Sequence, residues 1–148
     1  MPRSLTLLLC LCAIGLYGAS LFFPAFTCQY KQSFPGYTVL AIGYMGLLGL
    51  DPRWFANICF VVLLASSLKS SCQIRPFVAA ATAILALASF ASAAGCEGGG
   101  GAPSMSTGLA LGGRLWVGAL FLICAVNLSL RQAAHMASFA ETTPDNRV

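Results

Sequence analysis

"AAGCEGGGGAPSMSTG", Ala93 to Gly108, sets four consecutive glycines, Gly98 to Gly101, into an otherwise apolar chain. Three readings compete for it: a phosphate-cradling loop, a linker between domains, or the turn between two membrane helices. A phosphate loop needs a strand before it and Gly-Lys-Ser/Thr opening a helix after it, and neither is present. The flanks decide the rest. Before it runs "FVAAATAILALASFASAAG", Phe77 to Gly95. After it comes "RLWVGALFLICAVNLSL", Arg114 to Leu130, with "STGLALGG" leading in. Each side supplies about the 20 apolar residues that a spanning helix needs. The glycines are therefore read as a turn, supplying backbone freedom and positive φ, with Pro103 stopping any helix that arrives there.

Outward from that turn the composition agrees. Of 148 residues, 58% are hydrophobic and 8% charged, with a mean hydropathy of +0.83. Soluble domains carry about 25% charge, and a soluble fold of this size could not cover its surface with so little. The net charge of +4 comes from eight scattered Lys and Arg. No basic run or aromatic-interleaved patch accompanies them, so nucleic acid is not expected as a partner.

Two further apolar segments complete the pattern: "LTLLLCLCAIGLYGASLFF", Leu5 to Phe23, and "WFANICFVVLLASSL", Trp54 to Leu68. Backbone polar groups in lipid must be satisfied within the segment, so these read as helices. The expected fold is all-α: a polytopic transmembrane four-helix bundle with spans near 5–23, 54–68, 77–95 and 112–130. It forms a single domain over 1–139, followed by a disordered tail over 140–148 broken by Pro144. The first segment also has the charged start and apolar run of a signal peptide, but it lacks a good small-x-small cleavage site before Phe22.

Arg3, Lys69, Arg75 and Arg131 lie at helix ends on one side, which makes that side cytoplasmic and both termini inside. Trp54 and Trp116 then fall at the outer starts of their spans, where aromatic belts sit. The first outer loop, about 24–52, has a polar, turn-like first half. "YTVLAIGYMGLLGL", Tyr37 to Leu50, is apolar but short. It reads as an interfacial or re-entrant helix, or as the first half of a long kinked second span.

Chemistry-bearing residues are few. The spans hold no Asp, Glu, Lys or His, which argues against a proton-coupled transporter. Asn57 and Asn127 are the polar candidates. They lie at different depths and are expected to hydrogen-bond neighbouring helices rather than each other. His135 is alone and makes no metal site, and no cofactor is expected. Of seven cysteines, Cys28 and Cys96 are the two on the outer side. In an oxidising compartment such as a periplasm they form a candidate disulfide, with free thiols and a redox-active pair as alternatives. Small residues let helix backbones approach closely, so Gly43, Gly46, Gly108 and Gly112, the last two spaced as G-x-x-x-G, are interface candidates with Asn57, Trp54 and Trp116.

The helix count resembles that of small quinone-linked thiol oxidases, but no C-x-x-C is present and no function carries over. "WFAN" at Trp54 to Asn57, "CEGGG" at Cys96 to Gly100 and "GGRLW" at Gly112 to Trp116 loosely resemble uncharacterised small four-helix proteins of bacterial inner membranes. That likeness implies no activity. The expected function is non-enzymatic, as a subunit or binding partner of a larger membrane complex or toxin. Besides the lipid bilayer, the expected partner is another protein or a further copy of the chain in a homo-oligomer. The alternatives are a membrane thiol-disulfide oxidoreductase using the outer cysteine pair and an oligomeric passive channel.

Overall fold

The computed structural model describes residues 2–28, 33–43, 52–68, 75–91, 95–97 and 103–142. The described structure is mostly helical. Helix α1, Arg3–Phe22, starts after Pro2, whose carbonyl accepts from the Thr6 amide at 3.2 Å. Its end is dictated by Pro24. A residue before proline is pushed out of helical conformation, and Phe23 is extended at φ −98° and ψ 156°.

Strands β1, Pro24–Cys28, and β2, Ser33–Pro35, follow, and then the short helix α2, Gly36–Ile42. A 3₁₀ turn, Pro52–Trp54, leads into α3, Phe55–Ser67, followed by α4, Arg75–Ala91. Strands β3, Gly95–Glu97, and β4, Pro103–Leu109, precede the long helix α5, Leu111–Thr142.

Strands flank the expected glycine turn, whose Gly98–Gly101 lie outside the described residues, and β1 and β2 occupy the part of the first loop expected to be turn-like. The strands form one four-stranded antiparallel sheet in the order β2-β1-β4-β3. The pair β1–β4 zips the two loops together, with Phe26 opposite Leu109 and Thr27 opposite Gly108. The register shifts between Thr27 and Cys28. At this bulge Gly108 adopts φ +144°, a conformation that side chains rarely take. Pro103 does not simply halt a helix. It opens β4, a position where a missing N–H is tolerated.

Helix α5 is the axis of the bundle and packs against α1, α3 and α4. Its Leu120, Ile123 and Val126 are enclosed, together with Leu63 of α3, Ala13 of α1 and Ala86 of α4. Large apolar side chains point outward instead: Leu11 is 64% exposed, Phe77 77% and Phe22 81%. Two helices, α1 and the first 23 residues of α5, are long and apolar enough to cross a membrane, while α3 and α4 are shorter. The fourth span was expected to end near residue 130, but α5 continues to Thr142. The remainder of the expected tail, residues 143–148, lies outside the described residues. Of the segment 37–50, expected to be interfacial, re-entrant or part of a long second span, α2 and Gly43 are described and residues 44–50 lie outside the described residues.

Candidate functional site

Two polar clusters hold the helices together, one at each end of the bundle. Near the sheet, Asn57 lies in the first turn of α3. Its carboxamide oxygen accepts from the Tyr17 hydroxyl of α1 at 2.9 Å and from the Trp116 indole of α5 at 2.8 Å. Tyr17 also stacks on Phe60, with ring centroids 4.6 Å apart. One side chain thereby ties three helices.

At the far end Asn127 is 1% exposed. Its nitrogen donates to the Leu63 carbonyl at 3.2 Å, the Ser67 hydroxyl at 3.0 Å and the Ile123 carbonyl at 2.9 Å. Its oxygen accepts from the Ser66 hydroxyl at 3.0 Å. Both asparagines thus bond neighbouring helices, and not each other. Arg75 closes this cluster. It lies at a helix end, as expected, as the first residue of α4; it is 7% exposed, and its guanidinium donates to the Ser66 carbonyl at the end of α3. A cation at a helix C-terminus meets the negative end of the helix dipole.

A third cluster consists of bare backbone. Around the end of α1, a Cβ on Gly36 would lie 2.2 Å from the Ser20 carbonyl oxygen. One on Gly112 would lie 2.5 Å from that of Phe23, and one on Gly113 2.5 Å from that of Ala25. The Gly36 amide donates to the Phe23 carbonyl at 3.0 Å, and the Ala110 amide to the Ala25 carbonyl at 3.0 Å. The starts of α2 and α5 therefore seat on the carbonyl end of α1, and only glycine fits there.

The expected interface residues are used largely inside the chain. Trp54 donates to the Leu40 carbonyl at 3.1 Å and covers Gly43, where a Cβ would meet its ring at 2.7 Å. Gly46 lies outside the described residues. Gly108 and Gly112 do not share a helix face, because α5 begins at Leu111 and Gly108 belongs to β4.

Cys28 pairs with Ser106 and Cys96 with Ser104, so β4 runs between their strands. Two strand spacings amount to about 10 Å. A disulfide needs Cα atoms within about 7 Å, so this register does not permit a direct bridge. No disulfide is seen among the described residues. Cys10 and Cys124 are buried in the core, and the Cys124 thiol donates to the Ala79 carbonyl at 3.4 Å. Among the described residues no three His, Cys, Asp or Glu gather as metal ligands.

Sequence reasoning missed Tyr17, Ser66 and Ser67 as partners of the asparagines, and Gly36 and Gly113 as contact glycines. Their spacing along the chain carries no signal of which helices meet. Pro35-Gly36 carried a turn signal, although not the close approach. The fold defines a helical bundle capped at one end by a small sheet. Comparison with protein-family models, with curated proteins and with solved structures finds no match.

Proposed function

We propose that this chain is a small non-enzymatic protein of a bacterial inner membrane, a four-helix bundle with both termini cytoplasmic. It acts as a subunit or binding partner of a larger membrane complex or toxin. One observation carries the reading: the two outer loops are joined into a single sheet over one end of the bundle. Such a sheet is a preformed recognition surface held by rigid helices. The interior supports the same view, since Asn127, Ser66 and Ser67 spend their hydrogen bonds on one another and on helix carbonyls. Membrane placement is supported by the outward apolar side chains and by the two helices of spanning length. Helix α1 has the length and apolar character that a signal peptide near the N-terminus would also have. Its retention is supported by Cys10 and Ala13, which lie in the core, and by the Tyr17 bond to α3.

The test is photo-crosslinking from the sheet. A photoreactive residue at Phe34, exposed on the edge strand β2, is expected to give one discrete, stoichiometric adduct in native membranes. The same group at Leu11, on the outward face of α1, is expected to give lipid products. Absence of any protein adduct from Phe34, with normal membrane levels, overturns the partner reading.

A further inference from the structure

Asn57 is tied on one side only. The Trp116 indole can donate but not accept, so the carboxamide must turn its oxygen toward that ring, and this fixes the amide's orientation. The Tyr17 hydroxyl takes the same oxygen. Both N–H groups of the amide then face away, and they meet no acceptor among the described residues. Asn127 is the contrast, because its nitrogen has three acceptors within the bundle.

The surroundings of the Asn57 amide select its ligand. Asn57, Tyr17 and Trp116 are each half-buried, so the cluster is not sealed inside the bundle. The Tyr17 ring, stacked on the buried Phe60, supplies an apolar side chain beside it. Asn57 follows Trp54 closely, at the start of α3, the level at which aromatic side chains mark the membrane–water interface. Water is scarce just inside that level, and an unmet amide donor there is costly. Its natural complement is an acceptor that itself sits at the interface on an apolar body.

We propose that the Tyr17–Asn57–Trp116 notch binds the carbonyl oxygen of a membrane-borne molecule, with the Asn57 amide as donor. Two sources share that chemistry: the acyl ester of a phospholipid and the ring ketone of a lipid-soluble quinone. The inference rests on the membrane placement proposed above and not on the identity of any protein partner.

The experiment reads the side-chain amide of Asn57 by NMR in nanodiscs, with Asn127 as an internal control. Three discs are compared: a diester phospholipid, its diether analogue with the same headgroup and chains, and the diether disc with added decylubiquinone. A downfield shift and slower exchange of the Asn57 amide in the diester disc relative to the diether disc assign the acyl ester. The same change seen only on adding the quinone assigns the ketone. An Asn57 amide that is identical in all three discs overturns the notch, as does a shift shared equally by Asn127. Failure of the chain to incorporate into any disc would instead overturn the membrane placement, so the two failures are distinguishable.

Discussion

Asn127 and the contact glycines carry opposite lessons at the scale of single residues. Asn127 sits on an apolar helix and still satisfies both ends of its amide within the bundle. Leucine of similar size would remove those bonds and leave the Ser66 and Ser67 hydroxyls with the Leu63 carbonyl alone. Interhelical bonds in membranes average about 0.6 kcal/mol, so Asn127→Leu is expected to cost about 1–2 kcal/mol in total. A denaturant titration in mild detergent checks this, and an unchanged midpoint would count against it. The polar character of Asn57 and Asn127 was legible in the sequence, and so was their use in helix contacts. The glycines were legible only in part: Gly112 was a contact candidate, but Gly36 and Gly113, which also meet backbone where α1 ends, were not, and the run Gly98–Gly101 lies outside the described residues. Overpacking typically costs about 1–3 kcal/mol, so Gly36→Ala and Gly112→Ala are expected to lower thermal stability markedly. Gly15→Ala on α1 meets nothing within 4 Å and is expected to be neutral or slightly stabilising. If Gly15→Ala and Gly112→Ala melt alike, the seating of α5 on α1 is wrong.

Elements divide by whether their signal is local. Long apolar runs announced α1, α3 and α4 within a few residues of their observed positions, and the start of α5 but not its end at Thr142. Strands β2 and β3 are three residues each, too short for an alternating pattern to show. The sheet exists because β1 finds β4, and a pairing between two separate loops leaves no periodic trace in either. The same long-range pairing separates the two outer cysteines. The prediction at this scale concerns Cys28 and Cys96. Purified without reductant under alkylating conditions, both thiols are expected to be alkylated, because β4 lies between their strands. A peptide pair joined through Cys28 and Cys96 would show that the sheet is not paired in this order.

For the molecule as a whole, chain direction can be followed through the clusters. The end of α1 and the starts of α3 and α5 meet at Asn57 and the glycine junction, beside the sheet. The end of α3 and the start of α4 meet at Ser66 and Arg75, next to Asn127. Successive helices therefore run up, down, up and down between two polar ends. Helices α1 and α5 alone would already return both termini to one side, so a reporter at Val148 cannot tell two crossings from four. Cys72, in the segment joining α3 to α4, can. If α3 and α4 both cross, Cys72 lies on the side of the termini, which is the cytoplasmic side in the orientation proposed from Arg3, Lys69 and Arg131. If they form a hairpin that dips in from the outer face, Cys72 does not reach that side. A variant retaining Cys72 as its single cysteine is expected to resist a membrane-impermeant maleimide in intact spheroplasts and to react once the membrane is opened. Labelling in the intact cells would reduce the spans to two and leave α3 and α4 as an inserted hairpin.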